Sequence, residues 1–559
     1  MNRPTPAIVT QNAARRLPRL ALLLLCAAYV IPGFIGREPW KSADIMAFGY
    51  MFELAAGSAA WLSPTMLGQP PDFDALLPYW LGAWAIQLAP AWMPADFVVR
   101  IPFVALLVVT FLSTWYGTYY LARTPGAQPV PFAFGGEASP TDYARAMADA
   151  GLLALIACLG LMQLSHETTP ALAQLGFTAL TFYGLAALSY RIAVPALALA
   201  IGLPGLALSG APAMGVVFAL GGAVIHWSSA GRDSQAGNAV GRGALVVLIA
   251  LASAAVAAAF DAWHWRLEPA PGPGRQWQSL ARLLLWFTWP AWPLVLWTVW
   301  RWRRQLGRRH VALPLWFVAV SVLTTILAPH PDRALLLGLP AMAALAAFAL
   351  PTLQRSVSAL IDWFTLLFFS GCAIVIWVIW VSLQTGVPAK PAQNVARLAP
   401  GFEPSFGWVA FVVALLATLA WMWLVRWRTS RSREAIWKSL VLPAGGTSLA
   451  WLLVMTLWLP VLDYGRSYKP VVEGITAHID RPGCVEVIGL TRPQIAALRF
   501  HGQLELRNAR SPSACPWLVA SQDLQELLPM AVDIKQWKLV TTVPRPTDQR
   551  ENLLLYRKR

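Results

Sequence analysis

Charge is what this chain has little of. Only 13% of its 559 residues are Asp, Glu, Lys or Arg, while 57% are hydrophobic. Soluble domains carry about 25% charged residues, so an ordinary soluble fold is excluded. Acids are the scarcer sign, 27 Asp and Glu against 43 Lys and Arg. The sequence has no HExxH, no P-loop, no GxSxG and no CxxC. That removes the motif signals of zinc proteases, P-loop NTPases, α/β-hydrolases and thiol redox proteins. No internal repeat or low-complexity stretch is visible, which weakens the case for transporter folds built on repeats.

What is present is a series of apolar segments. A membrane-crossing helix needs about 20 mainly apolar residues. About thirteen candidates fit this requirement: 20–36, 98–121, 149–164, 171–190, 192–208, 213–229, 243–260, 280–300, 311–327, 334–350, 357–383, 406–425 and 439–459. Basic residues favour cytoplasmic loops and set orientation. Arg15, Arg16 and Arg19 precede the first segment, which predicts a cytoplasmic N-terminus. Alternation then places Arg191, Arg232 and Arg242, the 301–309 run, Arg355 and the 426–438 run inside as well. The net charge of +16 is thus the charge of short inter-span loops, and nucleic acid is not an expected partner. An odd number of spans sends the C-terminal tail outside, so a multi-pass membrane protein with an outer tail is expected. Residues 1–18 are basic, but the apolar run that follows is long and passes into GREPW. That pattern reads as an uncleaved span rather than a signal peptide. Many of the 29 Trp residues fall near span ends, where an interfacial aromatic belt accounts for most of them and sugar stacking for one or two.

The expected fold is therefore membrane all-α over residues 1–460, followed by a small α/β domain over 461–559. In the first part a long outer loop, 37–97, separates the first two spans. Two of its stretches, 44–56 and 74–88, have helical apolar spacing and read as helices lying at the outer membrane interface. Further outer loops are expected at 261–278 and 384–405. In the tail, 484–488, 503–507, 517–521, 539–544 and 552–557 read as strands. The stretches 491–500 and 522–528 read as helices. Cys26, Cys158 and Cys372 lie in spans as small packing residues. Cys484 and Cys515 are the tail's only pair and its natural disulfide in an oxidising compartment. Closing their loop would contribute roughly 3–4 kcal/mol.

Four groups of ionisable residues fall on the predicted outer face. Asp44, with Glu53 nine residues on, could be a helix cap or a general base for an acceptor hydroxyl or amine. Asp72 and Asp74 follow Gln69-Pro70-Pro71 and could simply form a solvated turn. His166-Glu167 in SHETTP could cap a helix, bind a sugar or hold a divalent metal ion, the one cofactor the sequence suggests. His330, Asp332 and Arg333 open an apolar segment, where Arg333 suits a lipid phosphate. None of these clusters is specific alone. Together on one side they describe a site for an anionic, membrane-borne substrate.

These residues resemble the membrane glycosyltransferases of the GT-C fold class that use a polyprenyl-phosphate sugar donor. The nearest types are the lipid A aminoarabinose transferase and the protein O-mannosyltransferases. WKSADIMAFGYMFELAAGSAAWLSP through LLPYWL looks like the family's first outer loop. HETTPALAQLGFTALTFYGLA resembles its second acidic motif, HPDRALLLGLPAMAALAAF its basic-residue span, and LWLPVLDYGRSYKPVVEGI its exit into an outer C-terminal domain. The resemblance implies Asp44 and Glu167 as the catalytic acids. It implies Arg333, with Lys41 or a metal, as the holder of the donor phosphate. His166, Asp72, Asp74 and His330 remain candidates for the acceptor or metal. The sequence departs from the family where Ile45 follows Asp44 in place of a second acid, and where PDFDA replaces a Glu-Lys-Pro-Pro stretch. The implied activity is inverting transfer of a sugar from an undecaprenyl-phosphate-type carrier to lipid A, another glycolipid or a protein. The rival readings are a flippase for a lipid-linked sugar and an inactive scaffold. A flippase would place its charges near the bilayer midplane.

Overall fold

The computed structural model describes residues 5–72, 74–229, 239–263, 273–328, 330–429, 435–479, 484–509, 514–526, 528–548 and 551–559. Arg232, part of the 261–278 loop and part of the 426–438 run lie outside the described residues. Among the described residues, six helices are long and apolar enough to cross a membrane, or seven if one bent pair counts as a span. Four further apolar helices are shorter: Arg19–Val30, Ala193–Leu208, Pro212–Ser228 and Leu339–Thr352.

Proline and glycine decide where an apolar run becomes one helix and where it becomes two. The 280–300 segment is two helices, Trp277–Phe287 and Ala291–Arg301, bent by 88°. Pro290 and Pro293 cause this, since proline lacks an N–H and disfavours helical geometry in the residue before it. The 149–164 segment also breaks, into Pro140–Ala157 and Leu161–Leu164. Each break repairs the other. Gly160 N–H donates to Phe287 O at 2.9 Å and Leu159 N–H to Trp289 O at 3.1 Å, so backbone groups freed at both sites find partners where no water is at hand. The 334–350 segment likewise divides at Gly338, into Pro331–Leu336 and Leu339–Ala349.

The chain forms two compact units. One comprises Met1–Gly33, Phe103–Ala373 and Val413–Leu453. Its centre is the helix Leu339–Ala349, buried at every residue. Small residues let helices approach closely: a Cβ on Gly151 would stand 2.7 Å from Thr118 Oγ1, and one on Gly202 2.6 Å from Thr181 Oγ1. Thr110, Thr114 and Thr118 return their hydroxyls to carbonyls one turn back, each at 2.8 Å, as hydroxyls without water do.

The other unit comprises Phe34–Pro102, Ile374–Val412 and Val454–Arg559. The first loop and the tail therefore fold together. In the tail, β1 (Cys484–Ile488), β2 (Glu505–Asn508), β3 (Trp517–Ser521), β4 (Trp537–Val543) and β5 (Leu553–Lys558) form one sheet in the order β2-β1-β3-β5-β4. β1 is parallel to β2 and β3, whereas β5 is antiparallel to β3 and β4. The helix Arg492–Phe500 makes the crossover from β1 to β2 and opens with a Thr491/Gln494 capping box. A disulfide joins Cys484 at the start of β1 to Cys515 just before β3. Leu518, Ala520, Trp537, Leu554 and Tyr556 fill one face of the sheet.

The loop helix Ala43–Ala55 packs on this tail. A Cβ on Gly49 would stand 2.6 Å from Ala496 Cβ, and the Phe48 and Phe500 rings meet edge to face at 4.6 Å. Eleven residues of Ala43–Ala55 are buried. Its apolar surface goes to protein, where amphipathic spacing alone had suggested a membrane interface.

Candidate active site

The residues around Asp44 form a buried charge network. Asp44 stands in the first turn of Ala43–Ala55 and is 2% exposed. Its Oδ2 accepts from Arg37 Nη2 at 2.7 Å and from the Trp40 backbone N–H at 3.3 Å. The Arg37 side chain is fully enclosed. A buried acid and base of this kind must stay paired, because either one alone would be a bare charge away from water. Arg100 closes the same loop by donating to the carbonyls of Phe34, at 3.0 Å, and Arg37.

A second carboxylate comes from the tail side. Asp463 Oδ1 accepts from Trp40 Nε1 at 2.6 Å and from the Glu38 backbone N–H at 3.2 Å. Burial pushes the Asp463 carboxyl up to about 6, against the opposing pull of the Trp40 indole N–H. The Trp40 ring also receives Arg37 at 4.7 Å and Arg466 at 5.0 Å from its centroid, both in cation–π range. Around it, Lys469 pairs with Glu38 at 3.1 Å. Burial holds the nearby His501 imidazole down at about 4. Lys41 binds Glu551 at 2.7 Å and Asp548 at 3.2 Å, and Arg545 pairs with Glu551 and lies 4.4 Å from the Tyr468 ring.

Two further first-loop acids also turn to the tail. Asp72 pairs with Arg492 and Glu53 with Arg499 at 3.0 Å, which places both on the loop–tail packing. Asp74 is half-buried in the same segment as Asp72.

Glu167, His166, His330 and Arg333 belong to the span unit. Glu167 is buried, and its Oε1 accepts from Gln163 Nε2 at 2.9 Å. His166 is fully buried, with Nδ1 2.5 Å from Met162 O and Nε2 3.0 Å from Tyr29 O. Trp451 lies 4.7 Å from its ring. Both ring nitrogens are thus engaged by backbone carbonyls, and the ring ties together three segments of that unit. Gly33, at φ +93°, makes room for it, since a Cβ there would stand 2.6 Å from the Trp451 ring and 3.1 Å from His166. Arg333 is half-buried in the short helix Pro331–Leu336, which the exposed His330 precedes. Among the described residues no three His, Cys, Asp or Glu side chains gather as metal ligands, so the arrangement does not fit a preformed metal centre.

The sequence named Asp44 and Lys41 but not their partners Arg37, Asp548 and Glu551, nor Arg100, Asp463 and Arg545 around them. A usable signal existed. Charge is rare in this chain, and the 37–44 and 463–469 stretches concentrate both signs in segments expected on one side of the membrane.

The sequence matches no family model and no curated protein. The structure does find likenesses. It resembles ArnT from Cupriavidus metallidurans bound to undecaprenyl phosphate with a TM-score of 0.61 at 14% identity, covering 97% of this chain and 98% of that one. It resembles the apo state of the same protein with a TM-score of 0.61 at 13% identity, covering 96% and 98%. The chain therefore shares, over nearly its whole length, the fold of ArnT.

Proposed function

We propose that this protein is an inverting glycosyltransferase that moves a sugar from an undecaprenyl-phosphate-type carrier to lipid A, another glycolipid or a protein, at the periplasmic face of a bacterial inner membrane. One observation carries the reading: the full-length likeness to a fold captured with undecaprenyl phosphate. The enclosed Arg37–Asp44 pair in the first loop supports it. In this scheme the acceptor oxygen or nitrogen attacks the anomeric carbon as the bond to the carrier phosphate breaks. The bonding electrons leave with the phosphate, and the acceptor proton passes to Asp44. Asp44 is enclosed and held by Arg37, so its contact with Arg37 must yield before an acceptor reaches it. Arg333 and Lys41 stabilise the departing phosphate, and Glu167 shapes the acceptor site. The 461–559 region acts as a periplasmic domain that steadies the catalytic loop.

The test uses inner-membrane vesicles and a radiolabelled polyprenyl-phosphate sugar. Wild-type protein moves label to a new lipid or protein band. Asp44→Asn lowers that rate about 10²–10⁴-fold, the usual cost of losing a catalytic base, and Arg333→Ala lowers it as well. Near-normal turnover by Asp44→Asn defeats the assigned role. Movement of intact donor across the membrane with no covalent product makes the protein a transporter.

A further inference from the structure

The segment that leads to Asp44 has no ladder of its own. Residues 37–41 lie in neither helix nor strand, so their backbone amides must find acceptors elsewhere. Trp40 N–H donates to Asp44 itself, at 3.3 Å. Glu38 N–H donates to Asp463 Oδ1 at 3.2 Å, and Lys41 N–H to Arg466 O at 2.9 Å. The last two bonds end on one short helix, Leu459–Arg466. That helix is held in turn. Its Gly465 O accepts from Thr547 Oγ1 at 2.8 Å and from Arg545 Nη2 at 3.3 Å. Trp458, just before it, donates its indole N–H to Ile376 O at 3.1 Å.

Asp463 reaches the segment twice with one oxygen. Oδ1 takes the Glu38 amide and, at 2.6 Å, the Trp40 indole N–H. Trp40 is 2% exposed, and a buried indole bonded at its N–H cannot turn without losing that bond. The Arg37 guanidinium lies 4.7 Å from the Trp40 ring and donates to Asp44 at 2.7 Å. Trp40 thus touches both acids, Asp463 through its indole and Asp44 through its backbone. The acid also has a cost. Burial pushes its carboxyl up to about 6, so at neutral pH its charge weakens the folded state. What the charge supplies is the stronger, charge-assisted kind of hydrogen bond to both donors. A group that lowers stability where it stands is expected where a site needs its geometry.

We propose that Asp463 is a positioning residue for the transfer reaction: it locks the Trp40 indole and the Glu38 amide, and so fixes the segment from which Trp40 and Arg37 present Asp44. The inference rests on the reading of Asp44 as the base.

The test compares wild type with Asp463→Asn, Asp463→Ala and Trp40→Phe, by sugar transfer in inner-membrane vesicles and by Tm of the purified full-length protein at pH 7.5. Asp463→Asn keeps an acceptor oxygen without its charge, and lowers kcat about tenfold with donor KM unchanged. Its Tm is no lower than that of wild type, so rate and stability move in opposite directions, which a purely structural role cannot produce. Asp463→Ala frees the indole and lowers kcat about 10²-fold, the usual cost of a misplaced catalytic group. Trp40→Phe keeps the ring and removes its N–H, so it reads the same bond if Asp463→Ala unfolds. Combined with Asp463→Ala it is no slower than the worse single variant, because both remove one contact. Rates within about threefold of wild type for both Asp463 variants overturn the inference, and so does a rate loss that only follows a falling Tm. The two readings fail differently. Absence of transfer by wild type defeats the assignment of Asp44 and the inference with it, whereas transfer untouched by Asp463→Ala defeats the inference alone.

Discussion

The two units of this chain handle buried polarity in opposite ways. In the loop-and-tail unit, charge meets charge: Arg37 with Asp44, Lys41 with Glu551, Lys469 with Glu38, Arg499 with Glu53. In the span unit, beside the Arg428–Asp362 and Arg145–Asp142 ion pairs, several buried polar side chains return to backbone carbonyls: His166 to Met162 and Tyr29, Arg309 to Leu185 and Ala186, Thr114 to Thr110. The difference follows from the surroundings each was built for. Ion pairs hold where some water remains to solvate their outer edges. Within hydrocarbon, a carbonyl already present on a neighbouring turn satisfies a donor at lower cost than an imported acid. The loop-and-tail unit should therefore respond to pH and salt, and the span unit to side-chain size.

The sharpest way to break this contrast is to remove one member of the enclosed pair. Asp44→Ala leaves Arg37 buried without its acid and should cost about 3–5 kcal/mol, read as a large fall in Tm of the purified protein. A loss under about 1 kcal/mol would mean that the pair is solvated. Next comes size. Gly49→Ala pushes a methyl into Ala496 and should cost about 1–3 kcal/mol, whereas Gly49→Ala with Ala496→Gly should recover most of it. No recovery would mean that Gly49 acts through something other than its contact with the tail helix.

The third test is pH. Burial raises the Asp463 carboxyl to about 6 from an ordinary value of 3.8. A raised acid favours the folded state most when protonated, so its contribution is full below 3.8 and is lost as pH rises through about 6. Asp463→Asn should therefore narrow the Tm difference between pH 5 and pH 7.5. An unchanged difference would show that Asp463 is better solvated than its surroundings imply. The smallest effect belongs to Lys41→Ala. Its side chain is 31% exposed and its partners Asp548 and Glu551 are 37% and 22% exposed, so about 0.2–1 kcal/mol is expected per pair. That loss should shrink in 1 M salt, where the screening length falls to about 3 Å.

Parts of this molecule were legible in sequence because they depend on neighbours along the chain. The strand 484–488 and the helix over 491–500, expected to start at Arg492-Pro493, fall within a residue of where the sequence places them. The helix at Asp44 begins within a residue of its expected start. The bend at Trp289-Pro290 was not read from apolar content, although its prolines were in view, because hydropathy averages over the residues that break a helix. Asp44 was singled out because charge is rare in this chain. Its partner Arg37 was overlooked as the first residue of the outer loop, and Asp463 lies 419 positions further along than Asp44, beyond the reach of any spacing rule.

The sequence by itself determined that this is a membrane protein with a long loop after its first apolar segment and a polar tail, because hydrophobicity and turn chemistry are local and additive. Only the tertiary structure decided that loop and tail form one unit and that Asp44 is sealed against Arg37. It also decided that Asp463 meets the Trp40 indole. Those outcomes depend on which distant side chains meet, and pairing of charges at contact distance leaves no periodic trace in a linear chain.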